Sequence, residues 1–169
     1  MRRRLTRGPL AFAAALLVGA CSKSSSAPTP PSTPSTPTPP PTATATITFD
    51  ENPVAFKSSG CGFATPEGWY AQARVQETAG VAVTVTSLTQ KLDGAANSNL
   101  AESFNSRFGA CAGGTFTAGT IPAGGAVCGV VGVCTTSSHG TYQFSITGTD
   151  ANAHSVTFDS PVLRFNPRP

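Results

Sequence analysis

Trp69-Tyr-Ala-Gln-Ala-Arg-Val-Gln-Glu77 alternates apolar and polar side chains, and after Thr78-Ala-Gly80 the alternation resumes in Val81-Ala-Val-Thr-Val-Thr86. A period of two is the signature of a half-buried strand. It places Trp69, Ala71, Ala73 and Val75 on one face of the first segment, and Val81, Val83 and Val85 on one face of the second. With a three-residue turn between them, the pair reads as a β-hairpin. Working outward, Thr44–Phe49, Gly114–Ile121, Ala126–Val133, Thr141–Thr147 and His154–Phe165 give further short strands separated by turn residues. About seven strands with turns every 8–12 residues predict an all-β, two-sheet antiparallel sandwich. Helical crossovers are missing, which argues against a parallel α/β fold. One segment departs from the period. Leu100, Phe104 and Phe108 recur every four residues behind Asn99, which predicts a short helix near residues 99–108.

The amino terminus is organised differently. Met1-Arg-Arg-Arg-Leu-Thr-Arg7 is basic, and Leu10–Ala20 is an apolar run of 11 residues. As a helix that run spans about 16 Å, too short for a hydrocarbon core of about 30 Å. It therefore reads as the h-region of an export signal. Residues 22–46 follow, with eight Pro, seven Thr and six Ser. Such a segment buries too little surface to offset ordering and favours extended polyproline II. The expected organisation is a signal at residues 1–20, Cys21 with a Pro/Thr/Ser tether at 21–46, and one domain at 47–169, long enough for a single core.

Composition narrows the function. Only 11 % of residues are charged, while the chain has 17 Gly and 15 Pro, the profile of a turn-rich exported β protein. The formal charge of +3 is set by the four arginines of the signal. Without them seven basic residues face eight acidic ones, a net of −1. No basic patch for nucleic acid is expected. Besides Cys21 the chain has four cysteines, Cys61, Cys111, Cys128 and Cys134, an even number that implies two disulfides in an oxidising compartment. Three connectivities are open. The glycines of Cys128-Gly-Val-Val-Gly-Val-Cys134 favour a loop that pairs those two and leaves Cys61 to Cys111.

Catalytic patterns are sparse. His139 and His154 are the two histidines, and neither lies in a nucleophile-elbow or metal-ligand spacing. The expectation is a non-enzyme with no cofactor and no metal. Trp69 and Tyr70 are the candidate ligand-binding residues. As strand neighbours they face opposite ways, so Tyr70 is expected outward beside Gln72 and Arg74, where an aromatic ring can stack on a sugar or a partner chain.

Two resemblances add to this reading. Leu17-Val-Gly-Ala-Cys21 resembles the lipobox of bacterial lipoproteins, with an aliphatic residue, two small residues and then Cys. The resemblance implies diacylglyceryl transfer to the Cys21 thiol, cleavage before it, palmitate-type acylation and anchorage in a bilayer. Each buried CH₂ of the acyl chains contributes about 0.8 kcal/mol. Ser22 in place of Asp implies the outer membrane rather than the inner. The segments Glu77–Thr86, Ile121-Pro-Ala-Gly-Gly125 and Gly140–Phe158 are similar to bacterial immunoglobulin-like, cell-adhesion-related domains, with Tyr142 placed like their tyrosine corner. That similarity implies the fold and not a function. The lipid anchor, the tether and a rigid looped sandwich without catalytic residues lead to the expectation of a cell-envelope module binding a protein or glycan. A structural spacer of the envelope is the alternative.

Overall fold

The computed structural model describes residues 38–62, 64–96 and 103–169. Among the described residues ten strands build two antiparallel sheets packed face to face, as the period of two predicts. The first sheet runs β1 (Ala45–Phe49), β2 (Trp69–Glu77), β7 (Ala126–Val133) and β5 (Phe108–Ala110). The second is centred on β3 (Val83–Leu92) and β8 (Thr141–Asp150). β9 (Ser155–Asp159) and β10 (Leu163–Arg164) pair with β8, while β4 (Ala95–Ala96) and β6 (Thr120–Ile121) pair with β3.

The expected hairpin of residues 69–77 and 81–86 does not form. β2 pairs with β1 and β7, whereas β3 pairs with β8, so the two strands lie in different sheets. Thr78–Gly80 is an arch between the layers. Its physical cause is Glu77, whose side chain is 1 % exposed. Oε1 accepts from Ala79 N–H (2.8 Å) and Thr44 N–H (3.4 Å). Oε2 accepts from Gly80 (2.8 Å), Val81 (3.1 Å) and Gly124 (2.7 Å). The carboxylate thus satisfies the N–H groups that a hairpin ladder would have used, and ties β1, the arch and the β6–β7 turn together.

The inward faces carry the alternating residues of both sheets: Ala71, Ala73, Val75, Val127 and Val131 from one, Val83, Phe144 and Ile146 from the other. Gly132 is required where β7 crosses β2. Its φ is +132°, and a Cβ there would stand 2.1 Å from the Trp69 carbonyl oxygen. The residues taken for a strand from 114 onward form one only at Thr120–Ile121, and the expected strand over 154–165 is interrupted between β9 and β10.

Three further expectations change. Ala43 is buried and Ala45 begins β1, so the sandwich starts inside the segment assigned to the tether. The helix is one turn, α1 (Phe104–Arg107), capped by Ser103, whose hydroxyl accepts from Ser106 N–H. Phe108 already belongs to β5, where pairing with Gly129 draws the backbone into the first sheet. Residues 99–102 of the expected helix, and Cys21 with most of the tether, lie outside the described residues. The disulfides are Cys61–Cys134 and Cys111–Cys128, not the pairing favoured from the glycines. Cys128 to Val133 is straight β7, which separates Cys128 from Cys134 by about 20 Å at 3.3 Å per residue.

Candidate functional site

The alternation of β2 sends Trp69 and Tyr70 to opposite faces, and the structure gives them different work. Trp69 is fully buried, stacks on Phe165 with ring centroids 5.5 Å apart and meets Phe56 edge-on at 4.8 Å. Its Nε1–H donates to the Asn166 carbonyl at 2.8 Å. It anchors the carboxy-terminal segment, and its full burial leaves no ring face accessible, which corrects its candidacy as a binding residue. Tyr70 faces outward and is half-buried. Its hydroxyl donates to the Ser59 carbonyl at 2.8 Å, and Lys57 Nζ lies 4.5 Å above the ring while donating to the Tyr70 carbonyl. Glu51 holds the same ammonium at 3.1 Å. One face of the ring is therefore covered by a cation rather than open for stacking.

The remaining outward positions of the first sheet form a polar row. Thr48, Arg74 and Cys128 are cross-strand neighbours on β1, β2 and β7. They border a shallow cleft of about 390 Å³ with Asp50, Gln72 and the Cys111–Cys128 disulfide. Val130, 48 % exposed, stands beside Gln72. The outer face of the second sheet is chemically different. Its rows read Thr84–Thr149–Ser155 and Ser87–Thr147–Thr157, then Thr89–Ser145–Asp159. Small hydroxyl side chains dominate these rows, and Lys91, Gln143 and Asp159 continue the face at one end.

The two histidines sit on structural aspartates. Asp150 is buried and accepts from the N–H groups of Ala43, Asn152 and His154 at 2.9–3.0 Å. Its Oδ2 also meets His154 Nδ1 at 3.1 Å. Ala153 takes the left-handed conformation of this turn (φ +66°), and Asn152 donates to the Pro41 carbonyl. Asp93 accepts from Gly140 and Thr141 N–H and meets His139 Nδ1 at 2.8 Å. The Thr42 hydroxyl lies 3.4 Å from the same Nδ1 that faces Asp150. A hydrolytic relay needs the carboxylate and the nucleophile on opposite ring nitrogens, and this arrangement does not provide that. Among the described residues no three His, Cys, Asp or Glu converge as metal ligands. Tyr142 donates to Gln90 Oε1 at 2.6 Å inside the core.

These carboxylates carry a pH signature. Desolvation by burial raises the Asp150 carboxyl, but the Ala43 and His154 N–H groups and the His154 ring outweigh it and hold it down at about 2. In Glu77 burial again acts upward, and the backbone N–H groups of Gly124, Ala79, Gly80 and Thr44 bring the net shift down. Depressed carboxyls stabilise the fold fully above their unfolded value, about 4. That stability is lost as pH falls through the folded value. Thermal unfolding followed by circular dichroism should be flat from pH 8 to about 5 and fall steeply between about 4 and 2. Asp150→Asn should flatten part of that fall.

The chain matches no protein-family model, and no curated protein and no solved structure is significantly similar to it.

Proposed function

We propose that this protein is an exported envelope lipoprotein whose sandwich domain is a non-catalytic binding module for a protein or glycan. Two disulfides within one small domain carry the reading, because such bonds persist in oxidising, extracytoplasmic compartments. The Leu17-Val-Gly-Ala-Cys21 stretch supplies the anchor, and Ser22 the preference for the outer membrane. Binding is assigned to the outer face of the first sheet, where Gln72, Arg74 and Val130 offer an amide, a guanidinium and an apolar contact on rigid strands. The second sheet's hydroxyl face favours the alternative, a spacer, for that side of the molecule.

Metabolic labelling with an alkynyl fatty acid tests the anchor. The full chain should incorporate label and partition with membranes. Cys21→Ala should lose the label at least tenfold and leave the membrane fraction; equal labelling of both would overturn the anchor. For the binding module, the anchored full chain displayed in vesicles and probed with a glycan array and envelope extracts should show capture weakened by Arg74→Ala. Capture indifferent to that change would remove the assigned face.

A further inference from the structure

All four bridged cysteines are partly exposed, and the two disulfides differ in the backbone packed around them. Around Cys61–Cys134 the backbone closes in. Cys61 N–H donates to the Pro66 carbonyl at 2.8 Å. A Cβ on Gly68 would stand 3.1 Å from Cys61 Sγ and 2.2 Å from the Val133 carbonyl oxygen. Cys111–Cys128 instead forms part of the wall of the open cleft on the first sheet, a space of about 390 Å³. Arg74 borders the same cleft and is the register partner of Cys128 across β2 and β7. Exchange requires a thiolate to reach one sulfur, and it runs faster when the departing sulfur is stabilised as a thiolate. A cation on the adjacent strand can supply that stabilisation; the Arg74 guanidinium, which donates to Gln76 Oε1 at 2.7 Å, is carried on the strand next to Cys128.

We propose that Cys111–Cys128 is a thiol–disulfide exchange site that takes two electrons from a dithiol protein, with Arg74 stabilising the departing Cys128 thiolate. The donor's first thiolate bonds to Cys111 Sγ. The Cys111–Cys128 bond breaks, and its electron pair leaves on Cys128, across the strands from Arg74. The donor's second thiolate then attacks its own sulfur in the mixed disulfide, and Cys111 leaves. The donor ends as a disulfide and this chain as a dithiol; the two protons lost by the donor thiols are recovered by Cys111 and Cys128. Opening the bridge removes the covalent tie between Cys111 and β7, while Gly119 stays held by Val85 N–H and the Asn105 side chain and Phe116 stays packed near Phe104. β5 keeps its ladder to β7 and Phe108 stays in the core, so the sandwich survives reduction at this site.

The test is graded reduction of the full-length membrane-extracted protein with dithiothreitol, trapping by iodoacetamide and peptide mass mapping, with Trp69 fluorescence read in parallel. Cys111 and Cys128 should be alkylated at least tenfold faster than Cys61 and Cys134, with the fluorescence unchanged. Arg74→Gln should slow that opening roughly threefold to tenfold and leave the rate at Cys61–Cys134 alone. The proposal is overturned if both bridges open together, if Cys61–Cys134 opens first, or if Arg74→Gln leaves the rate at Cys111–Cys128 unchanged.

Discussion

Glu77→Gln should destabilise the domain by about 3 kcal/mol, although it changes a single atom of the side chain. The carboxylate accepts from five backbone N–H groups, two on one oxygen and three on the other. An amide offers one acceptor and one NH₂ donor. Whichever way it is turned, the NH₂ faces at least two N–H groups that then have no acceptor. Hydrogen bonds to a charged acceptor are also worth more than those to a neutral one. The midpoint of thermal unfolding should fall by on the order of 10 °C. Glu77→Asp should do nearly as much damage, since one methylene less cannot span from Thr44 to Gly124. A midpoint within about 2 °C of the parent for Glu77→Gln would mean that the arch is held by something else.

Trp69→Ala should be at least as severe, about 3–5 kcal/mol, the range for removing a large aromatic from a core. The indole is fully buried between Phe56 and Phe165, and it fixes the last strand's exit through Asn166. Urea unfolding should show the loss as a lower midpoint with an unchanged slope. Its neighbour gives the contrast: Tyr70→Phe removes one hydrogen bond to Ser59 at a half-buried site and should cost only about 1 kcal/mol.

Strand positions and inward faces were legible in the alternation, and β1, β2, β7 and β8 follow it closely. Pairing was not legible. Val75 and Val83 read as partners across a turn, yet each is inward whether its strand pairs with the other or arches over it. Periodicity records which way a side chain faces and not which strand lies beside it. One residue held the missing information. Glu77 continues the inward parity of Trp69, Ala71, Ala73 and Val75, and a carboxylate at an inward position must find donors there. The disulfide pairing was hidden for the same reason, since it depends on β7 being straight and on what lies next to it. Trp69's burial followed from parity, whereas the Lys57 cover on Tyr70 arises from a loop whose path no local pattern specifies.

The arch has a consequence for how the molecule comes into being. The middle of each layer joins distant parts of the chain: Trp69 pairs with Val133, and Val83 with Asp150. No amino-terminal fragment contains a finished layer, so cooperative structure waits for the last strands to arrive, the slow regime of sheets built from non-local contacts. A polypeptide of this design is still an open thread when most of it has been synthesised.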